Sequence, residues 1–343
     1  METQRRGDAE KEGRRHGRNP KAVSELHRAF LLLCVSASLR LKIRRVLRTR
    51  RGFLPRFRDS GCARHARPFP SRTPVKGRLL VRIIPIFIAL AVVFFQRCTA
   101  EKIVNDAGRT VRLGMNPQQE SALGMQAYRQ VLSESRTITS GEAFEMVSRC
   151  AQRLEAAVGE KGKNFQWAVS VVQSEQVNAF CLPGGKIVVY TGIIPVAQSE
   201  AGLAVVMGHE IAHATLRHGS ERVLQQQTTN TFLQGVNFSM GDMNYEQRRQ
   251  LMGLIGAGAQ VGYILPFSRD HESEADSTGL RYMARAGYDP REAVTFWQRM
   301  SAQSGKSSQP QFLSTHPANA TRIERLKEEL PKAIEIYQAA GGM

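Results

Sequence analysis

His209-Glu210-Ile211-Ala212-His213 decides how this chain is read. It lies inside Ala201 to Leu216 (AGLAVVMGHEIAHATL), an apolar, Gly- and Pro-poor run that predicts a buried helix. On a helix, residues four apart sit one turn above each other, so His209 and His213 present their imidazoles on one face. Two neutral imidazoles at that separation suit a tetrahedral Zn2+, and Glu210 between them can act on a water at the open position. The same residues also read as two helix histidines bonded to polar neighbours.

Context comes from Ser268-Arg269-Asp270-His271-Glu272-Ser273-Glu274-Ala275-Asp276. Glu272 and Asp276 are again four apart, on a helix predicted from Arg269 to Ala286. A catalytic zinc takes three protein ligands and keeps one position open, and two His with one Glu is a known set. Glu272 can supply the missing oxygen, and Asp276 can accept the outer N–H of a ligand imidazole and fix its tautomer. His271 and Glu274 compete as ligands, although Glu274 falls on a different helix face from the Glu272/Asp276 pair. An acidic helix start is the alternative, because carboxylates complement the helix dipole in any case.

HEIAH, SRDHESEAD, NAFCLPGGKIVVYTG and FLSTHPANATRI occur in that order, and the region 115 to 340 that contains them resembles the zinc metallopeptidases of the HtpX, BepA and mitochondrial Oma type, family forty-eight of the metallopeptidases. The resemblance implies that Glu272 is the third ligand in preference to Glu274. It implies that Asn178, Ala179 and Phe180 lie near an exposed strand edge on which a peptide substrate would be laid extended. It brings His316 towards the metal, where it would polarise the scissile carbonyl or occupy the open position in a resting form; an ordinary loop histidine is the alternative. Arg322 matches a helix-start arginine that holds substrate or pairs with a carboxylate.

Charge is confined to the N-terminal third. Residues 1–100 carry 24 Lys and Arg against 6 Asp and Glu, whereas residues 101–343 carry 24 of each, so the whole formal net charge of +18 precedes Glu101. No basic face remains for nucleic acid on the globular part. Residues 1–80 are Arg-rich, acid-poor and broken by Pro and Gly, too poor in apolar residues to bury a core apart from Ala29–Val35, and are expected to be disordered. They read as a targeting peptide or as an extension outside the working protein.

Ile83 to Phe95 is apolar, interrupted only by Pro85, with Lys76, Arg78 and Arg82 on its basic flank and Cys98-Thr99-Ala100 behind it. A span needs about 20 residues and a signal core about 7–15, so residues 81–100 read as an export signal or an uncleaved anchor. Of the five cysteines only Cys150 and Cys181 follow it, as buried thiols or a disulfide.

Within 101–343, helices are expected at Pro117–Ser133, Ser140–Val158, Ser220–Asn230, Arg291–Ser304, Ala318–Leu330 and Lys332–Ala339, and a strand at Phe165–Val172. Pro183-Gly184-Gly185 predicts a hairpin. The zinc helix is expected to end near Arg217-His218-Gly219 on a glycine cap, with His218 on another face from His213. Phe232–Asn244, with Gly235, Gly241, Met240 and Met243, reads as a loop over the cleft, and Leu251–Leu265 as a small-residue core helix in preference to a lipid contact. The expected fold is α+β: a mostly helical minimal zincin with a small mixed sheet. The expected activity is peptide-bond hydrolysis with one Zn2+ per chain, held by His209, His213 and Glu272, with Glu210 as base and then acid. The partners are protein or peptide substrates and a membrane contacted through residues 83–95. The resemblance implies membrane or envelope protein quality control in a bacterial periplasm or envelope, with the mitochondrial inner membrane as alternative. A catalytically silent chaperone-like module is the competing function.

Overall fold

The computed structural model describes residues 75–105, 107–259, 265–303, 310–317 and 320–342. Residues 1–74 of the expected 1–80 leader, with the Ala29–Val35 run, and most of the linker expected at 305–311 lie outside the described residues.

The apolar segment forms helix α1 (Val75–Thr99) and leads into an antiparallel ribbon of β1 (Glu101–Val104) and β2 (Thr110–Leu113). Helix α2 (Pro117–Glu134) starts on a capping box: Asn116 Oδ1 accepts from the Gln119 N–H, and the Gln119 side chain reaches back to the Asn116 N–H. Helix α3 (Glu142–Val158) buries Val147, Cys150, Ala151, Leu154 and Val158, the spacing of a core-facing stripe. The second sheet is mixed, with β3 (Thr137–Ile138), β4 (Ala168–Val172), β5 (Ala179–Leu182) and β6 (Lys186–Tyr190) in the order β3-β4-β6-β5. Pro183-Gly184-Gly185 makes β5 and β6 the expected hairpin, and β5 is left as an edge. Cys150 and Cys181 are free thiols.

A short helix, α4 (Ile194–Ala197), precedes α5 (Glu200–Thr215), whose first turn is capped by Ser199 accepting from the Gly202 N–H. Helix α5 is buried nearly all round. Leu203, Val206, Met207 and Ile211 have no accessible surface, which stabilises the fold by about 1.5–3 kcal/mol for each side chain.

The end of α5 differs from expectation. It stops at Thr215, Arg217 turns left-handed at φ 59°, and α6 (His218–Ser239) begins at once, with Gly219 already inside it. A non-glycine residue in that region is strained. Arg217 is held there by Nε bonds of 3.1 and 3.0 Å to the Glu120 carboxylate and an Nη2 bond of 3.0 Å to Met115 O.

Helix α6 then runs through Phe232–Ser239, where a cleft-covering loop was expected, and packs along α1 instead. The glycine that suggested a loop serves close packing, since a Cβ on Gly235 would lie 2.3 Å from Ala89 Cβ. Helix α7 (Tyr245–Ala259) is no core helix either. None of its residues is buried, and Gly253, Gly256 and Gly258 face open space, so its small residues do not mark a packed face.

Helix α8 (Leu265–Arg285) crosses α5, and two glycines let their backbones touch. A Cβ on Gly279 would come within 2.8 Å of His209 N, and one on Gly208 within 3.0 Å of Gly279 O. This crossing brings the two metal-motif segments together. Gly279→Ala is therefore expected to lower stability by about 1–3 kcal/mol and to weaken metal binding, since the added methyl must push α8 off α5. Chemical denaturation and metal titration check this; an unchanged protein on both counts would show that the crossing tolerates more space.

Helices α9 (Glu292–Ser301), α10 (Gln311–Thr315) and α11 (Ala320–Ala339) complete the core with Phe296, Trp297, Met300, Phe312 and Leu326. The two C-terminal helices expected from the sequence are one. Pro331 sits inside α11, where it forfeits a single backbone bond while Leu326 and Ala333 stay buried on either side.

Candidate active site

Nitrogen and oxygen atoms of His209, His213, Glu272 and His316 all lie within 4.8 Å of one another. His209 Nε2 is 3.1 Å from His213 Nε2, and the two Glu272 oxygens stand 3.4 Å from these nitrogens, Oε2 from His209 and Oε1 from His213. Two ligand atoms about 2.1 Å from a tetrahedral ion are separated by about 3.4 Å, so this donor set fits a small divalent metal. Burial opposes a charge on Glu272, but hydrogen bonds with His209, His213 and His316 hold its carboxyl far below the ordinary range.

Each histidine of α5 has its other nitrogen tied down. His209 Nδ1 is 2.9 Å from Asp276 Oδ1, which also accepts from Arg322 Nη2 at 2.6 Å. A proton on Nδ1 leaves the Nε2 lone pair facing the cluster. Burial and the Arg322 guanidinium disfavour a charged His209, yet Asp276 and Glu272 outweigh them and lift it to about 9. Of the two roles open to Arg322, substrate holder or carboxylate partner, its position fits the second. It is buried, with Nη1 3.3 Å from Glu272 Oε2 and its guanidinium 3.4 Å above the Trp297 ring.

His213 is supported by groups that sequence reasoning missed. His218 Nδ1 is 2.9 Å from His213 Nδ1, and His218 Nε2 is 3.1 Å from Glu274 Oε2. Burial lowers both histidines, His213 well below its usual value and His218 to about 4, so both are neutral near pH 7. Glu274 is ionised; burial opposes its charge, but His218 and Arg109 bring it down to about 2. Protons then have one consistent order: Glu274 accepts from His218 Nε2–H, His218 Nδ1 accepts from His213 Nδ1–H, and His213 Nε2 is free to donate its lone pair. Counting along an unbroken helix put His218 on another face; the left-handed Arg217 swings it back.

Around this relay, Arg109 bridges Glu274 and Glu221, Asn105 Nδ2 donates to Glu274 at 2.8 Å, and His271 stacks on His218 with its Nε2 3.0 Å from Glu221. His271 and Glu274, the competing ligands, are both occupied here. The only signal in the sequence was their wealth of charge.

Glu210 is buried beside the donor cluster. Its carboxylate accepts from the Cys181 backbone N–H on β5, and Oε1 makes no hydrogen bond among the described residues although His316 Nε2 is 3.3 Å away. Burial raises the Glu210 carboxyl, against the pull of His316 and His209. Asn178, Ala179 and Phe180 line a cavity of about 270 Å3 together with Glu210, His213 and His316. His316 is no free loop residue. Its Nδ1 is 3.2 Å from His209 Nε2 and 2.9 Å from Glu272, Phe312 stacks on its ring, and the Phe312 N–H donates to Val177 O just before β5.

Residues 142–330 match the sequence model of Peptidase family M48. The mitochondrial metalloendopeptidase OMA1 of Schizosaccharomyces pombe is 36% identical over 220 residues, covering 62% of this chain and 62% of that protein. The protein of the same name from Saccharomyces cerevisiae is 35% identical over 181 residues, 51% of this chain and 50% of its own length. The beta-barrel assembly-enhancing protease of Yersinia pestis is 30% identical over 228 residues, 65% of this chain and 46% of its own length. The chain thus spans less than two thirds of each of these relatives.

Proposed function

The chain belongs to peptidase family M48, and from that premise we propose that it is a zinc-dependent endopeptidase acting on protein substrates in membrane or envelope protein quality control. One observation carries the reading. Donor atoms from two helices converge beside Glu210, a buried carboxylate with an unbonded oxygen, next to a strand edge. The names of the relatives, a mitochondrial metalloendopeptidase and a beta-barrel assembly-enhancing protease, support the same activity and leave either a mitochondrion or a bacterial envelope as its setting.

In this reading His209, His213 and Glu272 hold the ion, which when bound would polarise the scissile carbonyl and make a water acidic enough to ionise near neutral pH. Glu210 accepts the proton of the attacking water and passes it to the leaving nitrogen, a task suited to a carboxyl that burial has raised. The substrate lies extended along β5, offered by Asn178, Ala179 and Phe180, and gains backbone hydrogen bonds as an added strand. His316 keeps the resting site closed, with Nδ1 among the donors and Nε2 beside Glu210, and turns aside when substrate enters. Asp276 orients His209, and Arg322 keeps Asp276 ionised against its burial and pairs with Glu272. Residues 101–343 form the catalytic domain, preceded by the leader and the apolar segment.

The test is casein digestion. The zinc-loaded full chain is expected to cut casein, a zinc chelator to stop the cutting, and added zinc to restore it. Intact casein with fully loaded protein, or digestion that continues in chelator, would sink the proposal.

A further inference from the structure

Helix α1 is apolar on almost every side, yet only one side is available to lipid. Its inner side lies along α6 from Arg82 to Thr99. Arg82 Nη2 pairs with Asp242 Oδ2 at 2.8 Å just beyond the end of α6. In the middle, a Cβ on Gly235 would meet Ala89 Cβ at 2.3 Å and Pro85 O at 2.9 Å. At the other end, Gln96 and Thr99 share a cleft with Leu224 and Gln227. A backbone contact as close as that at Gly235 belongs to a helix built into the fold, which argues against α1 being a removable signal.

The outer side of α1 is a stripe of Ile84, Phe87, Ile88, Phe94 and Phe95, all exposed, with Phe87 63% and Phe94 71% accessible. The outer side of α6 is the opposite in character. Gln226 stands nine residues from Gly235, two and a half turns, and so points directly away from α1. Gln226, Asn230 and Gln234 are exposed at successive turns, with Gln226 Nε2 donating to Asn230 Oδ1 at 3.4 Å. The amphipathic unit is therefore the pair of helices, apolar on the α1 side and carboxamide on the α6 side.

We propose that the α1–α6 pair binds a phospholipid bilayer in the plane of its surface, with the α1 stripe among the acyl chains and the α6 glutamines and asparagine in water, so that the chain does not cross. A crossing α1 would carry Gln226, Asn230 and Gln234 to the same depth in hydrocarbon, where no water satisfies their amides. Lying flat, the pair meets the requirement of an interfacial helix, an apolar face about 18 Å long from Ile84 to Phe95 backed by a polar one. Residues 1–74 add 20 Lys and Arg against 6 Asp and Glu, the charge complement of anionic headgroups. The proposal rests on the membrane contact expected through residues 83–95, not on the peptidase chemistry.

The experiment uses the full chain with a tag at each end, expressed in cells. Membranes are treated with protease from one side, and the purified protein is floated with vesicles of phosphatidylcholine and phosphatidylglycerol. Both tags are expected on the same side, and Phe87→Asp/Phe94→Asp should cut vesicle binding by about tenfold or more while leaving the melting temperature in detergent unchanged. Tags on opposite sides overturn the in-plane arrangement and leave the membrane contact standing. A mature chain that starts after Ala100, or no vesicle binding, overturns both. A lipid-free dimer that the double variant abolishes assigns the stripe to a second copy and overturns the proposal as well.

Discussion

Glu210→Gln should keep its full complement of metal and lose kcat by about 10²–10⁴-fold, with KM little changed. Glutamine matches glutamate in shape and can still accept the Cys181 N–H, so the β5 edge and the donor cluster should stay as they are. What disappears is the ability to take a proton. The pH profile makes the assignment specific. Activity needs the ionised carboxylate, so it falls as pH drops through the Glu210 pKa, which burial sets above the ordinary value of about 4.3. The residual activity of the variant should lack that acid limb. A metal-loaded variant that cuts peptides at the rate of the parent would remove Glu210 from the chemistry.

The residues that converge in the donor cluster are readable because their geometry is local. His209 with His213, and Glu272 with Asp276, are each one turn apart on a single helix, and helical spacing alone puts each pair on one face. Nothing local says that the two helices touch. That depends on Gly208 and Gly279, which in the sequence look like ordinary interruptions of helix propensity and in the structure are the point of backbone contact. The His213–His218 contact was lost for a related reason. Extrapolating the helix past Thr215 missed one left-handed residue, and Arg217 is stable there only because Glu120, far away in sequence, holds its guanidinium. At Phe232–Asn244, Gly235 reads as loop chemistry in the sequence and is the seat of α1 in the structure. Across these cases pattern found the faces, and the errors fell where a tertiary partner decides what a glycine or a turn is for.

Glu272→Gln should lose metal by more than about 100-fold in affinity, and Glu274→Gln by about 10–100-fold. The two carboxylates are two residues apart, and both touch histidines, so the order of their effects separates a ligand from a support. Glu272 stands 3.4 Å from the Nε2 atoms of both His209 and His213, the nitrogens turned towards the cluster, and neutralising it would also leave Arg322 and a basic His209 facing Asp276 alone. Glu274 reaches His213 only through His218, and its remaining contacts go to Asn105 and Arg109. Replacing its oxygen with an amide should let the His218 ring and the His213 tautomer drift without removing a donor from the metal. Zinc content after dialysis against a graded chelator measures both variants on one scale. If Glu274→Gln emptied the site as completely as Glu272→Gln, the third ligand would be misassigned, and the relay through His218 would have to be rebuilt as part of the metal centre.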